Sequence, residues 1–219
     1  TGMLVYPMLD FLILVKNEPT VLDPKSDRYT TIEKESIEAL AWHDKQWKDG
    51  PAKDEGYYIM LNQEDDLDGK VKPGNRLAAL GRALWAAWKL TGGKQHEDRA
   101  IKLGWYMKRR LDIGPDGAYY WPYWLPETPP TGPIDPKTIN GEDSSHAQLT
   151  AAFPLLLAAD GNVFTNEDVK MFGLTVDKGI GRLSTTPETM GVLLGSVPGD
   201  VKFAPSHVSS PDGWIAPAP

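Results

Sequence analysis

Ala118-Tyr119-Tyr120-Trp121-Pro122-Tyr123-Trp124 and, some way downstream, Gly141-Glu142-Asp143-Ser144-Ser145-His146 bracket a proline-rich loop, and the second motif opens an apolar run that reaches Asp160. Five aromatics in six positions, with no charge among them, make a dense flat surface. Tyr and Trp join an apolar face to a polar tip, which suits a hydrated cleft better than a sealed core. His146 stands where a helix should begin, and histidine is the side chain most readily tuned to exchange protons near neutral pH. The stretch reads as a binding cleft with chemistry at its edge. The competing reading is an aromatic core beside a histidine that helps to cap a helix.

Working outward, the chain alternates between two kinds of helix. Met3–Asn17, interrupted by Pro7, is apolar on nearly all sides and is expected to be mostly buried. Thr31–Lys48 carries Glu33 and Glu35 in its first turn and Lys45 and Lys48 in its last, the order the helix dipole favours. A short extended segment, Gly56–Leu61, leads into an acidic loop. Asn75–Leu90 is rich in Ala and Leu, contains Trp85 and Trp88, and stops at Gly92-Gly93, so it belongs inside the fold. Lys94–Leu111 has a single apolar stripe of Ala100, Leu103, Met107 and Leu111 and belongs outside. His146–Asp160 is again an inner helix, with a kink expected at Pro154. Thr165 and Asp168 have capping-box spacing for an outer helix running to about Thr175.

Gly56-Tyr57-Tyr58 after one outer helix echoes Gly117-Ala118-Tyr119-Tyr120 after the next, which makes Asn75 and His146 quasi-equivalent helix starts. The pattern predicts an all-α fold of stacked helical hairpins, an α/α-toroid or an incomplete arc of one, with short β segments in the loops. Residues 1–176 form that domain. From Asp177 onward Gly and Pro punctuate constantly, and 177–219 reads as an irregular segment packed on it.

With 219 residues and 41% hydrophobic content, the chain can bury a sizeable core. Its net charge of −7, without a Lys/Arg stripe, argues against a nucleic-acid partner. The absence of cysteine removes disulfides, thiolate metal sites and thiol nucleophiles. Met3–Val15 is too short to span a bilayer, contains Pro7 and Asp10, and lacks a basic leader, so neither a membrane span nor a signal peptide is read there. Glu64-x-Asp66-x-Asp68-Gly69 mimics the start of a calcium loop, but the twelfth position is Asn75 instead of a bidentate Glu. His43, His96 and His207 have no ligand spacing and read as surface or loop residues. No metal or cofactor is expected.

Thr1-Gly2-Met3-Leu4-Val5-Tyr6-Pro7, Asn75 with Gly81-Arg82-Ala83-Leu84, Trp121-Pro122-Tyr123-Trp124, Glu142-Asp143-Ser144-Ser145-His146, and Phe164-Thr165 with Asp168 follow one another in that order. The set resembles the α/α-toroid polysaccharide lyases that act on uronic-acid polymers such as alginate and glucuronan, over about Thr1 to Val176. Two features depart from that family. A closed toroid needs roughly twice the helices present here, so the chain looks like part of one or a shortened member, completed by a further chain segment or by another copy. Pro154 also lies inside a helix the family carries uninterrupted.

The resemblance implies β-elimination on an anionic polysaccharide or oligosaccharide in an extracellular or periplasmic setting. The C6 carboxylate must be neutralised, the C5 proton removed and the leaving O4 protonated. On this reading His146 is the base, Asn75 the carboxylate-facing amide, and Tyr120 or Tyr57 the acid. Trp121, Tyr123 and Trp124 offer sugar platforms, with Tyr119, Glu142, Asp143 and Arg76 also meeting substrate. Each role has a structural competitor: His146 paired with Glu142 or Asp143, Asn75 as a helix N-cap, the tyrosines as packing. Arg82 joins Arg76 as a possible carboxylate holder, whereas Arg109 and Arg110 read as solvated outer-helix charges. Adjacent Glu142 and Asp143 are poorly placed to act across one glycosidic bond. The rival functions are a glycoside hydrolase or uronate epimerase on the same fold, and a non-catalytic glycan-binding helical module.

Overall fold

The computed structural model describes residues 1–61, 66–132, 141–142 and 144–180. These residues are mainly helical: α1 (Gly2–Asn17), α2 (Asp27–Ala41), α3 (Gly74–Thr91), α4 (Lys94–Lys108), α5 (Ser144–Ala159) and α6 (Asn166–Leu174). Two short antiparallel hairpins join them. β1 (Trp47–Asp49) pairs with β2 (Gly56–Tyr58) between α2 and α3, and β3 (Asp112–Ile113) pairs with β4 (Tyr119–Tyr120) between α4 and α5. The echoed Gly-Tyr-Tyr and Tyr-Tyr segments thus occupy the second strand of equivalent hairpins.

α3 is the centre, with nearly every residue from Gly74 to Ala87 buried. α1 packs on one flank and α5 on the other, both running in the direction of α3. On one side Gly2 faces the backbone of Ala79, while Lys16 Nζ donates to the Leu90 carbonyl at 3.1 Å. On the other, Gly74 faces Thr150 and Trp85 Nε1 donates to Asp160 at 2.6 Å. Both contacts require small residues. A Cβ on Gly2 would sit 2.4 Å from the Ala79 carbonyl carbon, and one on Gly81 would sit 2.4 Å from the Phe153 ring. Because the three helices are parallel, their N-terminal ends gather on one side.

The outer helices are fixed by polar anchors. Ser26 caps α2 by accepting from the Tyr29 N–H, and the expected Thr165–Asp168 capping box opens α6. α2 starts at Asp27 and ends at Ala41, where the sequence pattern placed Thr31–Lys48. Beyond its last buried side chain, Leu40, the backbone leaves the helix for a short 3₁₀ turn and then for pairing between Trp47 and Tyr58. Lys45 and Lys48 therefore do not cap it. α4 ends at Lys108 instead of Leu111 because the chain turns there into β3. α5 stays helical through Pro154.

α1 corrects another expectation. Val5, Leu9, Leu12 and Val15 are buried, but Met3, Leu4, Met8 and Leu14 are exposed, so an apolar face remains uncovered among the described residues. No described helix is long and apolar enough to cross a membrane. The C-terminal segment expected from 177 lies almost wholly outside the described residues, as does His207.

Candidate functional site

A cleft of about 320 Å³ opens where the first turn of α1 meets α3, within the size range of small-ligand sites. Its walls include Gly2, His43, Lys72, Asn75, Arg76 and Leu149. Lys72 and Arg76 flank the start of α3, where the helix dipole disfavours cations. Lys72 is 8% exposed, yet among the described residues its ammonium meets only the Met60 sulfur, at 3.9 Å. The Arg76 guanidinium shares that sulfur, at 3.5 Å. Among the described residues neither cation is paired with a carboxylate. Burial, and secondarily Arg76, lowers the proton affinity of Lys72. A protein with a net charge of −7 has here gathered two cations that lack a carboxylate counterion among the described residues.

Asn75 is not the N-cap of α3; that place belongs to Pro73, which has no side-chain cap. Asn75 Oδ1 accepts the Arg76 N–H at 2.8 Å, leaving the amide NH₂ as the donor it can offer to the cleft. Its own N–H donates to Glu142 Oε1 at 3.2 Å, and the other Glu142 oxygen accepts from Trp121 Nε1 at 2.8 Å. The Thr150 hydroxyl lies close enough to favour the carboxylate, although it falls short of hydrogen-bond geometry. Glu142 is completely buried, and that burial pushes its carboxyl up to about 7, against the opposing pull of these donors and of nearby His146. It is an internal titrating group, which corrects the expectation that it meets substrate.

His146 lies in the first turn of α5, three residues before the cleft-lining Leu149 and so on the same helical face. Its half-buried ring meets Tyr123 edge-on, with centroids 5.5 Å apart. Tyr123 is also tied to α3, since its carbonyl accepts the Gly74 N–H at 3.2 Å. Asn75, Arg76, Tyr123, Glu142 and His146 thus come together around the gathered starts of α3 and α5.

The other aromatics go elsewhere. Residues of β4 and its extension alternate between faces. Tyr119 and Trp121 point inward against Phe172, buried to 5% and 0% exposure. Neither can serve as a sugar platform: Trp121 anchors Glu142, and the Tyr119 hydroxyl donates to Asp168. Tyr120 is on the opposite face, where its hydroxyl donates to Asp116 of its own hairpin at 2.9 Å, so it does not reach the cleft as the proton donor. Tyr57 and half-buried Trp124 line a second cleft of about 440 Å³, with Lys70 and Glu127. The Tyr57 hydroxyl donates to Glu127 at 2.5 Å, and burial pushes it up to about 12, which leaves it a poor acid at neutral pH. Asp143 lies outside the described residues.

Three arginines change role. Arg82 stacks on Tyr6 across the α1–α3 contact. Arg109 pairs with Asp54 and Glu55. Arg110 is completely buried, stacks 3.5 Å over Tyr106 and binds Glu55 and the Pro126 and Glu127 carbonyls, far from the solvated charge expected of it. It clamps the loop that carries Trp124.

Sequence reasoning missed Lys72, and it read His43 as a surface or loop residue although the side chain is buried. The signal for Lys72 was present in Lys70, Lys72 and Arg76, a basic cluster at the wrong end of a helix dipole. Nothing local marked His43, which is buried by β2 through its edge-on packing with Tyr58. No His/Asp/Glu grouping among the described residues has metal-site geometry; part of the calcium-like loop, Glu64 and Asp65, lies outside them. The chain matches no family model, no curated protein and no solved structure.

Proposed function

We propose that this protein is a polysaccharide lyase that cleaves a uronate-containing polymer by β-elimination, working outside the cytoplasm. The observation that carries the reading is the cleft's pair of cations, Lys72 and Arg76, unpaired with any carboxylate among the described residues, beside Asn75 and within reach of the helix start that bears His146. An acidic protein attracts a polyanion only through local positive charge, and this cleft concentrates it.

Each requirement of the reaction has a candidate. Arg76, with the Asn75 amide, neutralises the C6 carboxylate and so acidifies the C5 proton. His146 removes that proton. Tyr123, edge-on to His146, protonates the departing O4 in place of Tyr120. The C5–H and C4–O4 bonds break, a C4=C5 double bond forms, and the proton lost by C5 is balanced by the one delivered to O4. Glu142 holds the α3 and α5 starts together from beneath. Three parallel inner helices backed by outer ones accord with an arc of an α/α-toroid, and the face of α1 left uncovered among the described residues is where such an arc would be continued by further helices.

Incubation with alginate, glucuronan and polygalacturonate, followed by ultraviolet absorbance, tests the reading. A conjugated C4=C5 product is expected from at least one polymer. Reducing ends without that absorbance would make the protein a hydrolase, and no product from any of the polymers would remove the enzymatic reading.

A further inference from the structure

We propose that His43 and Lys72 form a built binding site for a hydroxylated carboxylate, in which Lys72 with Arg76 holds the anionic group and His43 accepts a hydrogen bond from a ligand hydroxyl. That the ligand is a uronate residue rests on the lyase reading; the recognition chemistry comes from the cleft itself.

Two side chains of the cleft are more than nine-tenths buried and incompletely matched by the protein. Among the described residues, the Lys72 ammonium has only a thioether within bonding reach. His43, also 8% exposed, has its Nδ1 2.5 Å from Gln46 Oε1, while its Nε2 is buried without a partner among the described residues. Since Gln46 presents a carbonyl oxygen, Nδ1 carries the hydrogen and Nε2 keeps its lone pair. Burial, reinforced by the charge of Lys72, opposes protonation of the ring and outweighs the opposing effects of Gln46 and Asp44, so Nε2 acts as an acceptor at neutral pH.

Proteins rarely bury a cation and a bare acceptor side by side unless something supplies the missing partners. A lone anion would satisfy Lys72 and Arg76 but leave Nε2 unmet. A neutral sugar would satisfy Nε2 but leave the cations unmet. A hydroxy acid satisfies both. Edge-on contacts with Trp42 at 4.9 Å and Tyr58 at 6.4 Å, together with Gln46, hold the imidazole in place.

Calorimetric titration of the full chain with glucuronate, glucose and sulfate, repeated on Lys72→Met and His43→Phe, tests the site. Methionine matches the lysine stem, and phenylalanine retains the ring packing. Glucuronate is expected to bind and glucose not to. Lys72→Met should weaken both glucuronate and sulfate about tenfold or more, whereas His43→Phe should weaken glucuronate alone. In the wild-type protein, glucuronate should also move the ¹⁵N resonance of His43 Nε2, a readout that stands if His43→Phe fails to fold. Undiminished glucuronate binding in Lys72→Met, an unmoved Nε2 resonance, or no binding by the wild type would each overturn the site. Binding without an unsaturated product would sink the lyase reading and leave this one standing. Product formation indifferent to Lys72 would do the reverse.

Discussion

The Glu142 carboxylate accepts the backbone N–H of Asn75, 3.2 Å away, and so joins the chain two residues before α5 to the first turn of α3. Its second oxygen holds Trp121, and burial keeps the proton on until about pH 7. A folded-state value above the ordinary 4.5 means that this group's contribution is complete below that value and is lost as the pH rises through 7. The stability advantage of wild type over Glu142→Gln should therefore shrink by about 3 kcal/mol between pH 4 and pH 8. Urea unfolding at both values measures it. A difference that does not change with pH would mean that the carboxyl titrates normally.

His146→Ala should slow product formation by about 10²- to 10⁴-fold, equivalent to roughly 3–5 kcal/mol in barrier height. Tyr123→Phe, which keeps the ring against His146 and removes only the hydroxyl, should also lower kcat. Circular dichroism should show both variants folded. Wild-type turnover in His146→Ala would end its candidacy as the base.

Arg110→Met should destabilise the fold by about 3–5 kcal/mol, because it leaves the fully buried Glu55 without this partner and frees two loop carbonyls. Arg109 still reaches Glu55 at 2.9 Å, so the loss should fall short of complete unfolding. Thermal denaturation provides the number. A variant as stable as wild type would show that the clamp carries no net stabilisation.

The parts of the fold visible in the sequence were those that depend on local periodicity. The Ala/Leu pattern of α3, the single stripe of α4 and the Thr165–Asp168 box each report on their own neighbourhood, and each element lies close to its expected place. The end of α2 was not legible, because it is decided by Trp47 pairing with Tyr58 eleven residues on. The aromatic run was legible as a cluster and not as a set of roles. Strand alternation sends Tyr119 and Trp121 into the core and Tyr120 away from it, a partition that follows from where Phe172 and Asp116 lie. Arg110 looked solvated because nothing within α4 reveals that Glu55 and the Pro126 loop close over it.

Asp168 offers the opposite titration to Glu142. Burial alone would raise its carboxyl, but Lys108 at 2.8 Å, the Tyr119 hydroxyl and both the N–H and hydroxyl of Thr165 outweigh that and hold it at about 2. Its folded-state value lies below the ordinary 3.8, so the stabilisation is complete above that value and disappears as the pH falls toward 2. Asp168→Asn removes the charge that Lys108 faces and weakens the α6 capping box, so it should cost about 2 kcal/mol at pH 7. The deficit should close on acidification, because wild type loses the same interaction when Asp168 takes up a proton. Urea unfolding of both proteins at pH 7, 4 and 2.5 tests this, and a deficit that persists undiminished at pH 2.5 would locate the effect in packing around Tyr119 and Phe172 instead of in the carboxylate's charge.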